Sequence, residues 1–254
     1  MTEPHVVSTT PSRAEVVLYR ICRIIAVGVS RLYFPGTVSG RENLPAGGAF
    51  IVAPVHRSYV DWLIVARITK RRLRYIVKDE VWKSKAMGSL LEVLGAFPVN
   101  RSGADREALE RCQAVLAGGE PLVMFPEGTR RSGPEVGELR DGVAFLSLRT
   151  GAPIVPVGIG GSERAMPRGS SLPRPRRVNL VIGPPILAKS SADADPDAGK
   201  ALQPGEASQP GEASDRGTAR RRARVRRSAT TELSARLRAG IQAAFDAAEA
   251  SLPR

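Results

Sequence analysis

Between residues 49 and 186, short apolar runs bounded by turn residues alternate with helical patterns, and few folds accept that alternation. "AFIVAPV" (49–55), "LRYIVKD" (73–79), "AFPVNR" (96–101), "PLVMFPEG" (121–128), "APIVPVGIGG" (152–161) and "RVNLVIGPPI" (177–186) read as strands. Residues 60–72, 81–95, 104–119 and 138–151 read as helices, three of them closed by glycine. Runs that are apolar on both faces of a strand need cover on both sides of the sheet. The expected fold class is therefore α/β, with a mixed, largely parallel sheet flanked by helices.

The flanks read differently. Residues 12–34 form a helical pattern in which Arg13, Arg20, Arg23, Ser30 and Arg31 share about a quarter of the wheel and apolar residues take the rest. Two readings stay open at this point: a helix lying in a membrane interface, or an amphipathic helix packed on its own domain. The leader before it has no basic stretch running into an apolar core, so it does not read as a secretion signal. No run of 18 apolar residues exists to span a bilayer. After Ile186 the composition changes. "QPGEASQPGEAS" (203–214) is one hexapeptide written twice, in residues that favour a disordered linker. A last helical pattern, 230–250, places Leu233, Leu237, Ile241, Ala244, Phe245 and Ala248 on one face. The expected organisation is a leader and membrane-interface helix (1–34), a catalytic-size domain (35–187), a disordered linker with an arginine-rich segment (188–229) and a C-terminal helix (230–254).

Charge narrows the partners. The net charge is +13, and "RGTARRRARVRR" (216–227) carries seven arginines and no acid. Anionic partners follow: phosphorylated substrates, anionic lipid or nucleic acid. The arginine segment has no aromatic side chain for stacking and no nucleic-acid-binding motif, so an anionic membrane surface accounts for it at least as well. The two cysteines, Cys22 and Cys112, form no disulfide or metal-ligand pattern, which fits a reducing compartment. Cys112 lies in a helical pattern beside Ala108 and Val115 and reads as a packing residue.

The chain has two histidines, and only His56 lies in the strand–helix region. The strand 49–55 delivers it to its C-terminal edge, where sites in open α/β sheets gather. Ser58 is placed to cap the following helix. Asp61 then falls in the first turn, within reach of the imidazole. A neutral imidazole takes a proton from a hydroxyl well only when a carboxylate fixes its tautomer. Two other strand ends carry matching chemistry. "GAFPVNR" brings Arg101 to one, and "MFPEGTRRSG" brings an acid, a glycine turn and two arginines to another. Arginine holds phosphate by paired hydrogen bonds, and Gly128 lets backbone approach a ligand. Each arginine alone reads as a solvated loop charge; the three strand ends together do not.

These residues resemble the glycerophospholipid acyltransferase family, the PlsC-like group. Its His-x4-Asp motif matches His56 and Asp61. Its glycine with arginine six positions on matches Gly95 and Arg101. Its Phe-Pro-Glu-Gly-Thr-Arg motif matches Phe125, Pro126, Glu127, Gly128, Thr129 and Arg130 without a change, and Pro156 in "PIVPVGI" matches a fourth. The resemblance covers residues 35–185. It implies transfer of a fatty acyl group from acyl-CoA or acyl carrier protein to the free hydroxyl of 1-acyl-sn-glycerol 3-phosphate, making phosphatidic acid. It implies His56 as base, Asp61 as its orienting partner, and Arg101, Glu127, Gly128, Thr129 and Arg130 around the acceptor. It implies no metal or redox cofactor, only the acyl donor as co-substrate, and work at the cytoplasmic face of a membrane. Val55 stands where many lysophosphatidate-acylating members have Asn or Ser, and "HRSYVD" is also similar to the version in glycerol-3-phosphate acyltransferases. Glycerol 3-phosphate or another lysophospholipid is thus the alternative acceptor. The doubled arginine, Arg130 and Arg131, departs from the single one of many members.

Overall fold

The computed structural model describes residues 13–78, 95–99, 105–167, 169–188 and 212–253. The helix expected over 81–95 lies outside them apart from Gly95, as do Arg101 and the repeated hexapeptide up to residue 211.

Seven strands form one sheet: β1 (Val38–Ser39), β2 (Ile51–Pro54), β3 (Arg74–Lys78), β4 (Ala96–Val99), β5 (Leu122–Val123), β6 (Ile154–Gly160) and β7 (Asn179–Ile182), in the order β1-β7-β6-β2-β5-β3-β4. Every neighbouring pair is parallel except β6 and β7. The largely parallel sheet read from the apolar runs is therefore the one observed, with β7 and β1 reversed at one edge. Ile51 and Val52 pair with Ile154 and Val155 on one side and with Leu122 and Val123 on the other, so β2 is central. Ile51, Val52 and Ala53 are fully buried, and so is all of β6. Each such Ile or Val adds roughly 1.5–3 kcal/mol of burial energy, which fixes the strand that carries His56.

The helices are α1 (Arg13–Tyr33), α2 (Asp61–Val65), α3 (Asp105–Ala117), α4 (Gly142–Thr150), α5 (Ser162–Ala165) and α6 (Glu212–Ala250). In α3, Cys112, Val115 and Leu116 are buried; in α4, Val143, Ala144 and Leu146 are. Arg149 donates to Gln113 across the pair, at 2.9 Å. Gly151, at φ +71°, closes α4 as its sequence position implied.

Several elements differ from the sequence reading. α2 spans Asp61–Val65 rather than 60–72. The carbonyls of Ala66 and Thr69 accept from the Arg23 guanidinium, and those of Arg67 and Ile68 from Arg41, so that side chains replace further helical turns. β5 stops at Val123 because Pro126 has no amide for a ladder and the Gly128 N–H turns back onto the Phe125 carbonyl. α6 begins at Glu212, not near 230, and takes in the arginine-rich segment assigned to the linker. Arginine and alanine are both strong helix formers, and they make up nine of the twelve residues of 216–227.

The terminal helices dock on the domain by different means. The six apolar residues expected on one face of α6 are all buried. The helix lies so close to β6 that a Cβ on Gly158 would stand 2.0 Å from the Ala244 carbonyl oxygen, and one on Gly160 2.5 Å from that of Ala248. In α1 the inward side is Tyr19, Arg23, Val27 and Ser30. The Leu73 N–H donates to the Tyr19 hydroxyl at 3.2 Å. Val17, Leu18, Ile21, Ile24, Ile25, Val29 and Leu32 all point outward, with Leu32 87% exposed. Among the described residues no helix is long and apolar enough to cross a membrane.

Candidate active site

β2 ends at Pro54, and the Val55 amide still bonds to the Val157 carbonyl of β6, so His56 is the first residue free of the ladder. Its Nδ1 lies 2.9 Å from Oδ2 of Asp61, whose side chain is fully buried while His56 is 21% exposed. The same oxygen accepts the Arg57 and Ser58 amides, both at 2.7 Å. Asp61 thus closes the loop 56–60 around itself. Ser58 is not the cap expected of it: Val60 is the N-cap residue, without a side-chain bond, and the Ser58 hydroxyl donates to the Met166 carbonyl at 3.1 Å. An ionised carboxylate only accepts, so the proton of a neutral His56 sits on Nδ1. Nε2 is left as the basic atom. The Phe125 ring, 4.2 Å away by centroid and tilted 30°, packs against the imidazole and limits its rotation.

A second carboxylate holds the histidine's backbone. Glu127 is 2% exposed. Its Oε2 accepts the His56 amide at 2.9 Å, both oxygens accept Nη1 of Arg57 at 3.0 Å, and Oε1 accepts the Gly137 amide at 3.0 Å. The sequence reading placed Glu127 beside the acceptor. In the structure its carboxylate is occupied by four protein contacts beneath the loop. A buried ion pair is stable only when its remaining hydrogen-bonding capacity is met, and here it is.

Arg57 is the residue the sequence reading missed. Its side chain is buried, with Nε donating to the Gly133 carbonyl (3.2 Å), Nη1 to that of His56 (3.2 Å) as well as to Glu127, and Nη2 to that of Glu135 (2.8 Å). Its signal was an arginine inside the His-x4-Asp stretch, flanked by residues that must turn.

Gly128, at φ +67°, makes the turn after Glu127. A Cβ there would stand 2.4 Å from Nε of Arg140. The positive φ demands glycine, while the flexible Arg140 side chain could move aside for a Cβ. The next residues face outward. Thr129 is exposed, and the Arg130 guanidinium lies 4.8 Å from the centroid of the Tyr59 ring, making no ion pair among the described residues. The Arg131 amide returns to the His56 carbonyl at 2.9 Å. The structure therefore brings His56, Asp61, Glu127, Gly128, Thr129 and Arg130 to one sheet edge. Among the described residues no group of three or more His, Cys, Asp or Glu is arranged to hold a metal. Cys112 is buried away from this edge, in α3, and burial pushes its thiol up to about 12.

A polarised imidazole with a free nitrogen, next to outward-facing arginine, can activate a hydroxyl on an anionic molecule. Comparison with known proteins agrees in kind. The family model described as Acyltransferase matches residues 36–160. The 1-acyl-sn-glycerol-3-phosphate acyltransferase of Bacillus subtilis is 29% identical over 170 residues, 66% of this chain and 82% of that protein. The chloroplastic 1-acyl-sn-glycerol-3-phosphate acyltransferase of Brassica napus is 26% identical over 165 residues, 63% of this chain but 47% of its own length. The crystal structure of the 1-acyl-sn-glycerophosphate acyltransferase PlsC from Thermotoga maritima superposes with a TM-score of 0.59 at 26% identity, covering 69% of this chain and 71% of that one.

Proposed function

Because residues 36–160 are a domain of the acyltransferase family, we propose that this chain moves a fatty acyl group from acyl-CoA or acyl carrier protein to the free hydroxyl of 1-acyl-sn-glycerol 3-phosphate, making phosphatidic acid. Nε2 of His56 takes the hydroxyl proton as the oxygen attacks the thioester carbonyl. The tetrahedral intermediate collapses, the C–S bond breaks, and the imidazolium returns its proton to the leaving thiolate. The thioester is the only co-substrate that this balance needs. Asp61 keeps the proton on Nδ1 and stabilises the imidazolium. Arg101 and Arg130 hold the acceptor phosphate. The observation that carries the reading is Nδ1 of a partly exposed histidine held 2.9 Å from a fully buried aspartate at the end of the central strand. The acceptor follows from the named activity of the relatives. "HRSYVD" favours glycerol 3-phosphate as the second acceptor to try.

The site works at the cytoplasmic face of a membrane, with the outward residues of α1 in the lipid interface. Seven exposed apolar side chains on one helix support that placement.

The test is mass spectrometry of products formed from one acyl-CoA with lysophosphatidate, glycerol 3-phosphate and lysophosphatidylcholine in turn. Phosphatidic acid from the first acceptor is expected, abolished in folded His56→Ala and reduced on the order of 10²–10⁴-fold in Asp61→Asn. Near-normal turnover by folded His56→Ala removes the base from the mechanism.

A further inference from the structure

Beyond the matched domain, α6 carries two stripes rather than one. Leu233, Leu237, Ile241, Ala244 and Ala248 are buried, with Ala244 and Ala248 against Gly158 and Gly160 of β6. Arg238, Gln242 and Phe245, at i, i+4 and i+7, form the next stripe, and they meet the loop that follows the glutamate–glycine turn. Nε of Arg238 donates to the Val136 carbonyl at 3.0 Å. The side-chain oxygen of Gln242 accepts the Val136 amide at 2.7 Å, and its Nε2 donates to the Pro134 carbonyl at 2.9 Å. The Phe245 ring lies 5.0 Å from the guanidinium carbon of Arg57.

The carbonyls of this loop are shared between two owners. Gly133 and Glu135 give theirs to Arg57; Pro134 and Val136 give theirs to α6. The next amide, Gly137, goes to Glu127. Arg57 and Glu127 in turn hold the carbonyl and the amide of His56. Any shift of α6 along its axis must move the loop, the guanidinium stacked on Phe245, or both. Interfaces packed this closely respond by discrete steps rather than by smooth yielding.

We infer that Gln242 and Phe245 of the C-terminal helix are positioning residues for acyl transfer, holding the His56 backbone in place through loop 133–137 and the Arg57–Glu127 pair. The turnover part of the claim rests on the acyltransferase reading above; the positional part rests on the contacts alone. A rival account gives this stripe a packing role only. It predicts that loss of either residue costs stability and nothing else.

Three single variants of the full chain separate the two: Gln242→Ala, Phe245→Leu, and Ile241→Val as a packing change on the other stripe. Two readouts are taken on each. Histidine-labelled protein gives ring signals from two residues, His5 and His56, and His5→Gln identifies the first. The His56 signal should move in Gln242→Ala and Phe245→Leu and stay in Ile241→Val, whatever the acceptor proves to be. Turnover of acyl-CoA with lysophosphatidate should fall about tenfold in kcat in the first two, with each KM within about twofold, a split expected when only the reacting geometry is disturbed. Gln242→Glu, which keeps the acceptor for the Val136 amide, should recover part of the loss. Combined with Arg57→Lys, either change should cost less than the sum of the singles, because all act through one network. The inference is overturned if folded Gln242→Ala and Phe245→Leu leave the His56 signal in place, or if they lower the melting temperature no more selectively than Ile241→Val and keep kcat. A parent protein idle on lysophosphatidate, with the signals moving as stated, sinks the acceptor reading and leaves the positioning role standing.

Discussion

α1 and α6 are both amphipathic helices at the flanks of one domain, and they use their apolar residues in opposite ways. α6 buries Leu233, Leu237, Ile241, Ala244, Phe245 and Ala248. α1 turns Val17, Leu18, Ile21, Ile24, Ile25, Val29 and Leu32 outward and docks through a tyrosine, an arginine, a valine and a serine. The hydrophobic pattern of a helix thus says that an apolar partner exists, not that the chain supplies it. What separates the two here lies in the partner surface. β6 offers Gly158 and Gly160, flat enough for a helix backbone to touch. The ground beneath α1 is a cluster of carbonyl ends and guanidiniums, with Arg23 and Arg41 bonded to the chain of residues 66–69. Burial, and after it the neighbouring charges of Arg31 and Arg23, lowers the Arg41 pKa, and apolar side chains gain nothing there.

The largest effect should come from Gly158→Ala. Its Cβ would meet the Ala244 carbonyl, a backbone atom that no rotamer change can move. A loss of about 3 kcal/mol or more is expected in guanidinium unfolding. A loss below about 1 kcal/mol would mean that α6 docks loosely and that the contrast with α1 is overstated.

Leu237→Ala should come next. A fully buried leucine on a helix that cannot collapse inward leaves a cavity, at roughly 2–5 kcal/mol by the same measurement.

A triple change on the other helix, Ile21→Ser, Ile24→Ser and Ile25→Ser, should alter unfolding by only about 0.5 kcal/mol per site, since these side chains are exposed. Its effect belongs in a different assay. Sedimentation with anionic vesicles should weaken roughly a hundredfold or more, the sum of three insertions into lipid. Equal sedimentation of parent and variant would move the membrane contact to another part of the chain.

The smallest effect is kinetic. At mildly alkaline pH, alkylation should reach Cys22, half-buried in α1, well before Cys112. Burial holds the Cys112 thiol up to about 12, so its thiolate is scarce under those conditions. Vesicles should slow labelling of Cys22 and leave Cys112 as it was; unchanged Cys22 labelling with vesicles bound would turn the lipid-facing side of α1 away from Leu18 and Val29.

Six strands and the buried face of α6 were legible because continuous apolar runs and a heptad-like face admit few placements. His56 and Asp61 were legible because strand, turn and helix leave a five-residue interval little choice. The resemblance puts Glu127 around the acceptor pocket without saying which way it points, since sequence does not tell a carboxylate turned outward from one turned under its own loop. Its donors are two amides and an arginine from two separate stretches, 56–57 and 137, and long-range pairing leaves no local pattern. The role of Arg57 was hidden for the same reason. The early end of α2 was hidden because residues 66–72 keep a helical composition while distant arginines claim their carbonyls. β1 has two residues and no alternation to detect.

At about 1.5 Å per residue, the 39 residues of α6 make a rod of about 58 Å. The first buried apolar residue along it among the described side chains is Leu233, and the backbone of 216–227 lies roughly 9–26 Å further along the axis. The Debye length at physiological ionic strength is about 8 Å. Along the axis, the helix backbone of 216–227 therefore lies more than one Debye length from Leu233. Added salt should shrink the capture radius of the outer half of the rod while the inner half, held by apolar contact, keeps its grip unchanged.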